Sequence, residues 1–387
     1  MTKSIFSLIL AVTPLIYNKA LKPESIQRID QLCCDLFPQD EPGAAVLIMQ
    51  GNKIVFDKGY GIADINSREP IDGNTFFNIA SVSKQFTATA ILQLAEQGRL
   101  SLEDPVSKYY PEFKAPFWKD IKIKHLLSHS SGIPDARSGL TRQQRIYGDE
   151  KLAVAYLNDL NYTHFAPGTN YEYINPTFVL LGDLVSRVSG KPFTQYMQQH
   201  IFLPAKMKST LYFDRDHQAD IPHMAHGYEY GDLSNMSEEH SASAASRGTD
   251  KKWYEYDYGE ETFFATRPDG GIYTSTHQFV LWEKALRKNK IISQASLTLA
   301  HTPHTYVSGS TFSDYQNRPN TWYGYGWFIE PQTPESPLKI YHTGDNGGFK
   351  ILAARYPHTK TLILIFANRT DWDRYEVMGK IEKILKL

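Results

Sequence analysis

Cysteine is almost absent from this chain of 387 residues, which contains only Cys33 and Cys34. Adjacent cysteines rarely reach the geometry of an unstrained disulfide, so we expect neither a disulfide framework nor a cysteine metal site. The surrounding segment, PESIQRIDQLCCDLF, repeats apolar side chains at helical spacing. We therefore predict that Cys33 lies on the buried face of a helix.

An excess of charge of either sign is also absent. The chain has 41 Lys and Arg against 42 Asp and Glu, and it contains no run of like charge. Binding to nucleic acid or to an anionic membrane surface normally needs concentrated positive charge. The predicted partner is therefore a small-molecule or peptide substrate and not nucleic acid, while the oligomeric state stays open.

Long apolar runs are confined to the N-terminus, MTKSIFSLILAVTPLIYNKA, whose run is too short to span a bilayer. The pattern predicts a signal peptide over residues 1–20, although Asn18 stands where the cleavage site prefers a small residue. The alternative is an N-terminal helix of the mature fold. Because no later segment has the pattern of a membrane span, we predict an exported protein, periplasmic or secreted, that is not integral to the membrane.

The motifs of several enzyme classes are missing. No G-x-S-x-G elbow occurs, which argues against the α/β-hydrolase fold, and the GYG at residues 59–61 lacks the third glycine of a dinucleotide loop. Two histidine pairs, His223 with His226 and His301 with His304, come without the companions of known zinc sites. We therefore expect no metal and no cofactor.

What the chain does contain is strand patterns at both ends. GAAVLIMQGNKIVFDKGYG predicts a hairpin around Gly51, and LKIYHTG, FKILAARY and TLILIFAN predict strands before a closing amphipathic helix. Segments between them, such as TATAILQLAEQG and PTFVLLGDLVSRVSG, have the pattern of helices with glycine caps. We predict one mixed α/β (α+β) unit over residues 21–387, with a sheet part at 21–78 and 321–387 and a mainly helical part at 79–320.

The stretch ASVSKQFTAT contains a candidate nucleophile. Ser81 and Lys84 are three residues apart at the start of a predicted helix, so their side chains share one face. Free N–H groups at a helix start also favour the negative charge that develops when serine attacks a carbonyl. The spacing alone proves little, because Ser336 and Lys339 repeat it, and a serine N-cap with a solvated lysine is the simpler alternative.

A serine nucleophile also needs a base. A tyrosine with a pKa of about 10 needs that pKa lowered by roughly 3, or about 4 kcal/mol, to act at neutral pH. An ammonium group about 4 Å away supplies roughly that much in a partly buried site. Desolvation can instead make Lys84 itself the acceptor, so both bases stay open.

Tyr-x-Asn occurs three times, at residues 156–158, 173–175 and 315–317. Only the middle copy follows a Pro-Gly turn and immediately precedes a predicted helix, where a loop can present both side chains to a cleft. We therefore select Tyr173 and Asn175.

These motifs resemble those of the serine β-lactamase-related family, which includes class C β-lactamases, D-alanyl-D-alanine carboxypeptidases, D-aminopeptidases and certain esterases. SVSK at 81–84, YIN at 173–175 and HTG at 342–344 match the family's three motifs in order. Segments such as IKHLLSHSSGIPD, YGYGWFIE and HTGDNGGF are similar too, and the resemblance runs from about Glu41 to Asn368. It implies a β-lactamase/transpeptidase-like fold, in which an antiparallel sheet is flanked by terminal helices and a mainly helical region is inserted.

The resemblance also implies catalytic roles. Ser81 would be the nucleophile and Lys84 its helix partner, while Tyr173 would pass the serine proton to the leaving group. The backbone N–H groups of Ser81 and Asp345 would form the oxyanion hole.

The substrate-binding residues implied by the resemblance are Asn175, His342, Thr343 and Gly344. Asn175 would hydrogen-bond the substrate amide or carbonyl, and Thr343 would be available to a substrate carboxylate. Most β-lactamases of the family have lysine where this chain has His342, whereas peptidase and esterase relatives tolerate histidine. The expected function is therefore a serine hydrolase of the D-alanyl carboxypeptidase, D-aminopeptidase or esterase kind. The alternatives are a β-lactamase and a catalytically silent relative that binds penicillin or cell-wall peptides.

Three further polar residues near these motifs are expected to support the site. His125 and His129, in HLLSHSSG, should hold the loop that borders it, and Ser83 should belong to the framework.

Overall fold

The computed structural model describes residues 21–135, 141, 144, 150–212, 221, 223–231, 253–255, 267–312 and 320–387. The predicted signal peptide and the third Tyr-x-Asn copy lie outside these ranges. Within them, no helix combines the length and the apolar character that crossing a bilayer requires.

The helices in the described residues are α1 (Pro23–Leu36), α2 (Lys84–Glu96), α3 (Ile123–Leu127), α4 (Glu150–Asn158), α5 (Asn175–Ser189), α6 (Phe193–Met197), α7 (Leu203–Ala205), α8 (Arg267–Gly270), α9 (Thr276–Arg287), α10 (Gln294–Ala300) and α11 (Arg374–Leu385). Short 3-10 helices lie at Ala80–Ser83, Val106–Lys108 and Pro116–Lys119, and a π-helical turn lies at Gln198–Phe202. The strands are β1 (Ala44–Gln50), β2 (Lys53–Tyr60), β3 (Phe77–Asn78), β4 (Leu211–Tyr212), β5 (Tyr228–Tyr230), β6 (Trp253–Glu255), β7 (Ile272–Thr274), β8 (Thr305–Tyr306), β9 (Trp322–Tyr323), β10 (Phe328–Glu330), β11 (Lys339–Asn346), β12 (Phe349–Tyr356) and β13 (Thr361–Ala367).

Eight of the described strands form one antiparallel sheet in the order β2-β1-β13-β12-β11-β10-β9-β8. The first and last of the described strands in sequence are neighbours, second and third in this order, and Ala44 of β1 lies opposite Ala367 of β13 while Gln50 lies opposite Thr361. The predicted hairpin is present, with the turn between β1 and β2 at Gly51, whose φ of +58° suits glycine. Two smaller sheets, β3-β7-β4 and β5-β6, lie outside this one.

Both faces of the sheet are covered, which explains why β13 is apolar at nearly every position. Ile363 and Ile365 pack into a core with α1 and α11, whereas Leu364 and Phe366 face the helical part. Successive side chains of a strand point to opposite faces, so one strand serves both cores. Cys33 is 1% exposed and lies in the core beneath the terminal helices, as predicted. The expected architecture, an antiparallel sheet flanked by the terminal helices with a mainly helical region inserted, is present.

Helix α2 runs through the centre of the helical part, and its residues are buried from Lys84 to Leu92. Its polar side chains are therefore hydrogen-bonded inside the protein, as buried polar groups require. Thr87 Oγ1 donates to the Pro268 carbonyl at 2.6 Å, and Gln85 Oε1 accepts from Trp282 Nε1 at 2.9 Å. The predicted glycine caps are present, since Gly98 after α2 and Gly190 after α5 have φ of +67° and +70°.

Candidate active site

The side chain of Lys84 connects the first motif to the rest of the site. Its Nζ donates to Ser81 Oγ at 3.0 Å and to the Asp269 carbonyl at 2.9 Å, and it lies 4.9 Å from the centre of the Tyr173 ring. The lysine side chain is fully buried, and the nearly buried Asp269 carboxylate lies 3.9 Å from Nζ. A buried charge needs such compensation, so Asp269 stabilises the ammonium group in contact with the serine.

The turn that carries Ser81 is held by polar contacts on both sides. Ala80 has a φ of +47°, in the left-handed region, which is unfavourable for a residue with a Cβ. The buried Asn78 side chain accepts a hydrogen bond from the Ala80 N–H at 2.8 Å, and Ser83 Oγ accepts one from the Ile272 N–H at 3.2 Å. Ser83 is therefore a framework residue, and Asn78 is a supporting residue that our sequence reasoning missed.

Tyr173 is positioned by His129. The two rings lie 4.3 Å apart, centre to centre, and the backbone on either side of the tyrosine is tied to the histidine. The Ile174 N–H donates to His129 Nδ1 at 3.2 Å, and the Glu172 N–H donates to the His129 carbonyl at 3.0 Å. Complete burial, together with the nearby Lys84 charge, holds the pKa of His129 well below its usual value, so the imidazole is neutral.

His125 supports the same loop from its other end. Its Nδ1 accepts a hydrogen bond from the Lys122 N–H at 3.1 Å, which closes the first turn of α3. Burial, followed by the charge of Lys124, lowers the pKa of His125 to about 4. Both histidines therefore act as hydrogen-bond acceptors in the neutral form.

This geometry predicts that the protein loses stability in weak acid. Below pH 6.5 the unfolded chain protonates histidines that the folded chain keeps neutral, so the free energy of unfolding should fall as the pH drops from about 6.5 to 4. Urea unfolding at pH 7.5 and 5.0 measures the loss. His125→Asn should reduce this difference, because an amide oxygen can replace the acceptor without titrating. An equal pH dependence in His125→Asn and wild-type protein would contradict the assignment.

The third motif lies on β11, next to the turn that carries Ser81. β10 pairs with β11 only at Lys339–Tyr341, so within the described residues the following segment of β11 has β12 on one side and no strand on the other. A Cβ on Gly344 would stand 2.4 Å from the Ile79 carbonyl oxygen and 2.9 Å from the Ala80 Cβ. Only glycine lets the strand come this close to the serine turn.

Gly344→Ala should therefore displace β11 from the turn. We expect a destabilisation of about 1–3 kcal/mol, because the nearest atom that the new methyl meets, the Ile79 carbonyl oxygen, belongs to the backbone and cannot move aside as a flexible side chain can. Covalent labelling of Ser81 should slow at the same time. Gly379→Ala is the control, since a Cβ there meets nothing within 4 Å and should stabilise α11 by about 0.5–1 kcal/mol. If Gly344→Ala retained wild-type stability and labelling, the claim that only glycine allows β11 to approach the turn of Ser81 would be contradicted.

His342 and Thr343 are both buried, with 1% and 3% of their surface exposed. His342 Nδ1 donates to the Thr343 carbonyl at 2.6 Å, and Nε2 lies 2.9 Å from the hydroxyl of Tyr323. Both ring nitrogens thus have partners within the protein. Thr343 lines a cavity of about 420 Å³ whose charged lining residues are two cations and three carboxylates: Lys350, Arg374, Asp345, Asp371 and Asp373.

Arg374 fixes the backbone at the end of the third motif, and our sequence reasoning missed it. Its Nη1 donates to the carbonyls of Gly344 and Ile351, each at 3.1 Å, and its Nη2 pairs with the Asp345 carboxylate. The Gly344 carbonyl and the Asp345 N–H belong to one planar trans peptide, so they point in opposite directions. Because Arg374 binds the Gly344 carbonyl, the Asp345 N–H of the same peptide points away from the arginine side chain.

Asn175 is the first residue of α5, two positions after Tyr173. Its Oδ1 atom is buried and has no hydrogen-bond partner among the described residues. A buried amide oxygen without a partner is costly, and a ligand donor can satisfy it.

The duplicate motifs have structural roles elsewhere. Ser336 Oγ lies 3.0 Å from Thr333 Oγ1, while Lys339 Nζ pairs with Glu330 and Glu382, both at 3.0 Å. The first Tyr-x-Asn copy lies inside α4. Spacing alone therefore did not identify the site.

One of the two histidine pairs noted in the sequence contacts carboxylates, and each histidine of that pair has a different one. His223 pairs with Glu69, and His226 pairs with Glu255 at 2.7 Å. Across the ranges that the structure describes, no three His, Cys, Asp or Glu side chains are grouped in a way that could hold a metal ion.

Comparison with known proteins identifies a family that this chain matches. The profile of the Beta-lactamase family matches residues 31–385. The chain is 29% identical to Penicillin-binding protein 4* of Bacillus subtilis strain 168, over 88% of this chain and 71% of that protein. It is 30% identical to Protein flp of Staphylococcus aureus strain MW2, over 90% of this chain but only 64% of that protein.

Solved structures show the same fold. The penicillin-binding protein from Bacillus halodurans superposes with a TM-score of 0.73 at 25% identity, covering 92% of this chain and 99% of that one. The D-amino acid amidase from Ochrobactrum anthropi SV3 superposes with a TM-score of 0.73 at 21% identity, covering 94% and 99%. With the profile matching nearly the whole chain, the protein belongs to the Beta-lactamase family.

Proposed function

We propose that this protein is a serine hydrolase that cleaves an amide or an ester through an acyl-enzyme on Ser81. The observation that carries the proposal is the 3.0 Å contact between Ser81 Oγ and the buried Nζ of Lys84. A lysine buried with a serine, a tyrosine ring and a carboxylate is the arrangement that activates a hydroxyl group.

Acylation begins when Ser81 Oγ attacks the substrate carbonyl, forming the new C–O bond as the hydroxyl proton leaves. As an ammonium group Lys84 donates to Oγ, so in this state it cannot accept that proton. Tyr173 is then the acceptor, and the adjacent positive charge favours its phenolate. The tyrosine next protonates the leaving group as the C–N or C–O bond breaks. Attack by water on the acyl group, with the proton returned to Ser81, completes the cycle.

The negative charge on the carbonyl oxygen would be stabilised by the N–H groups of Ser81 and Asp345. Preorganised donors of this kind contribute roughly 3–4 kcal/mol each. Arg374 supports this role, since it holds the carbonyl of the peptide whose N–H is used. Asn175 Oδ1 would accept a hydrogen bond from the substrate amide N–H.

The proposed substrates are D-amino acid amides, D-alanyl peptides or esters, in preference to β-lactams. Both nitrogens of the buried His342 are engaged by Tyr323 and Thr343, so the third motif lacks the permanent charge of a lysine. Solved structures with this fold include a D-amino acid amidase, so the fold accommodates amide hydrolysis.

Two covalent probes test the proposal. A fluorophosphonate and a fluorescent penicillin, followed by intact mass and peptide mapping, should mark Ser81. Failure of both to label the folded protein would contradict an acyl-enzyme and favour a silent relative. A penicillin adduct that persists would indicate slow deacylation, and rapid turnover of nitrocefin would indicate a β-lactamase. A panel of p-nitrophenyl esters, D-amino acid amides and D-Ala-D-Ala peptides then separates esterase from peptidase.

The location proposed for this activity is outside the cytoplasm, on the basis of residues 1–20. Expression of the full chain in a bacterium, followed by mass spectrometry of the periplasmic fraction, should find a product that begins after Ala20. Full-length protein confined to the cytoplasm would contradict export.

A further inference from the structure

A cavity of about 680 Å³ opens away from the residues of the proposed active site. It is bounded by the end of α9, by α10 and by the turns β1–β2 and β12–β13. None of Ser81, Lys84, Tyr173 or the third motif lines it. Its volume lies in the range of pockets that bind small molecules, and no role in the proposed reaction accounts for it.

The floor of the cavity contains more positive than negative charge. Glu283 is shared by two guanidinium groups, with Oε1 at 2.7 Å from Arg287 Nε and Oε2 at 2.9 Å from Arg355 Nη2. The Arg355 side chain is only 8% exposed, so one arginine charge is left without its own carboxylate at a largely buried position. Burial lowers the pKa of Arg355, the Glu283 carboxylate opposes this shift, and the Arg287 charge adds to it.

The rim adds three cations. Lys53, Lys288 and Lys360 are exposed, and within the described residues none of them forms an ion pair. Arg287 connects the two turns of the rim. Its Nη1 donates to the carbonyl of Gly51 at 2.6 Å and to that of Lys360 at 3.2 Å.

The wall between floor and rim is apolar. Leu286 and Leu297, both buried, line it. A ligand that fits must therefore combine an anionic head for the guanidinium groups with an apolar body for the leucines.

We propose that this cavity is a binding site for a small organic anion, whose carboxylate or phosphate group meets Arg287 and Arg355 and whose apolar body packs on Leu286 and Leu297. Such a ligand would lie close to α2, the helix that begins with Lys84. Arg355 Nη2 also donates to Gln85 Oε1 at 3.4 Å, and Gln85 directly follows Lys84.

The test uses Ser81→Ala protein, so that turnover and covalent capture at the proposed active site cannot contribute. Isothermal titration calorimetry with 4-phenylbutyrate and with phenyl phosphate should each give saturable binding, and the stronger of the two identifies the preferred head group. The neutral 4-phenylbutyramide and the cationic 4-phenylbutylamine should not bind. A crystal soaked with the tighter anion should show it against Arg287 and Arg355.

Adding Lys53→Gln, Lys288→Gln and Lys360→Gln together should weaken binding about tenfold, since three exposed rim charges attract the anion through water. The matched control is Lys114→Gln, Lys119→Gln and Lys208→Gln, which removes three exposed charges outside the cavity and should leave affinity unchanged. No saturable anion binding, or equal loss in both triple variants, would overturn the proposal. Because no readout depends on hydrolysis, its failure is distinct from failure of the proposed function.

Discussion

Replacing Ser81 with alanine should eliminate covalent labelling by fluorophosphonate and reduce turnover by roughly 10⁴-fold or more. The reason is that no other group in the site can form the acyl intermediate, while Lys84 and Tyr173 have no nucleophile left to activate. Intact mass spectrometry and initial rates on the best ester or amide of the panel measure the two effects.

The chain provides a matched control in its second Ser-x-x-Lys sequence. Ser336→Ala removes the same hydroxyl from an exposed loop, where it contacts Thr333, and should leave labelling and rate unchanged. Turnover by Ser81→Ala at a near wild-type rate would refute the nucleophile assignment.

Replacing Tyr173 with phenylalanine should lower kcat by about 10²–10⁴-fold and leave the fold intact. The ring and its packing against His129 and Lys84 are retained, and only the hydroxyl that moves the proton is lost. Single-turnover acylation should slow by a comparable factor if the tyrosine acts in the first step. A neutral Lys84 as sole base would instead leave acylation nearly unchanged.

Tyr156→Phe is the control for this variant, because Tyr156 belongs to the Tyr-x-Asn copy inside α4 and its hydroxyl contacts Gln144. It should retain full activity. Circular dichroism and urea unfolding of both variants separate a lost proton shuttle from a lost structure. Comparable rate losses in Tyr173→Phe and Tyr156→Phe would contradict the role proposed for Tyr173.

The parts of the fold with local signals could be predicted from the sequence. The hairpin at Gly51, the apolar run of β13 and the capped helix α2 each follow from neighbouring residues, and each is present. The contact between Ser81 and Lys84 belongs to the same class, because a helix brings residues three apart onto one face.

The residues that the sequence could not reveal act across long separations. Asp269 stabilises Lys84 from 185 residues away, and it lies in RPDGG, where nothing marks it as a partner. Arg374 holds Gly344 from 30 residues away, at the start of a helix whose pattern indicates only that it is amphipathic. Such pairs depend on how elements pack, which the local pattern of either element does not encode.

The pairing of β13 with β1 also determines when the sheet can be completed during folding. The Gly43 N–H donates to Asn368 Oδ1 at 2.7 Å across 325 residues, and β1 reaches the rest of the sheet only through β13. During synthesis β1 therefore has no partner on one of its two sides until residues 361–367 have been made. Non-local pairing of this kind slows folding and leaves an edge open to aggregation. A chain truncated before residue 361 should therefore be unable to join β1 and β2 to the rest of the sheet.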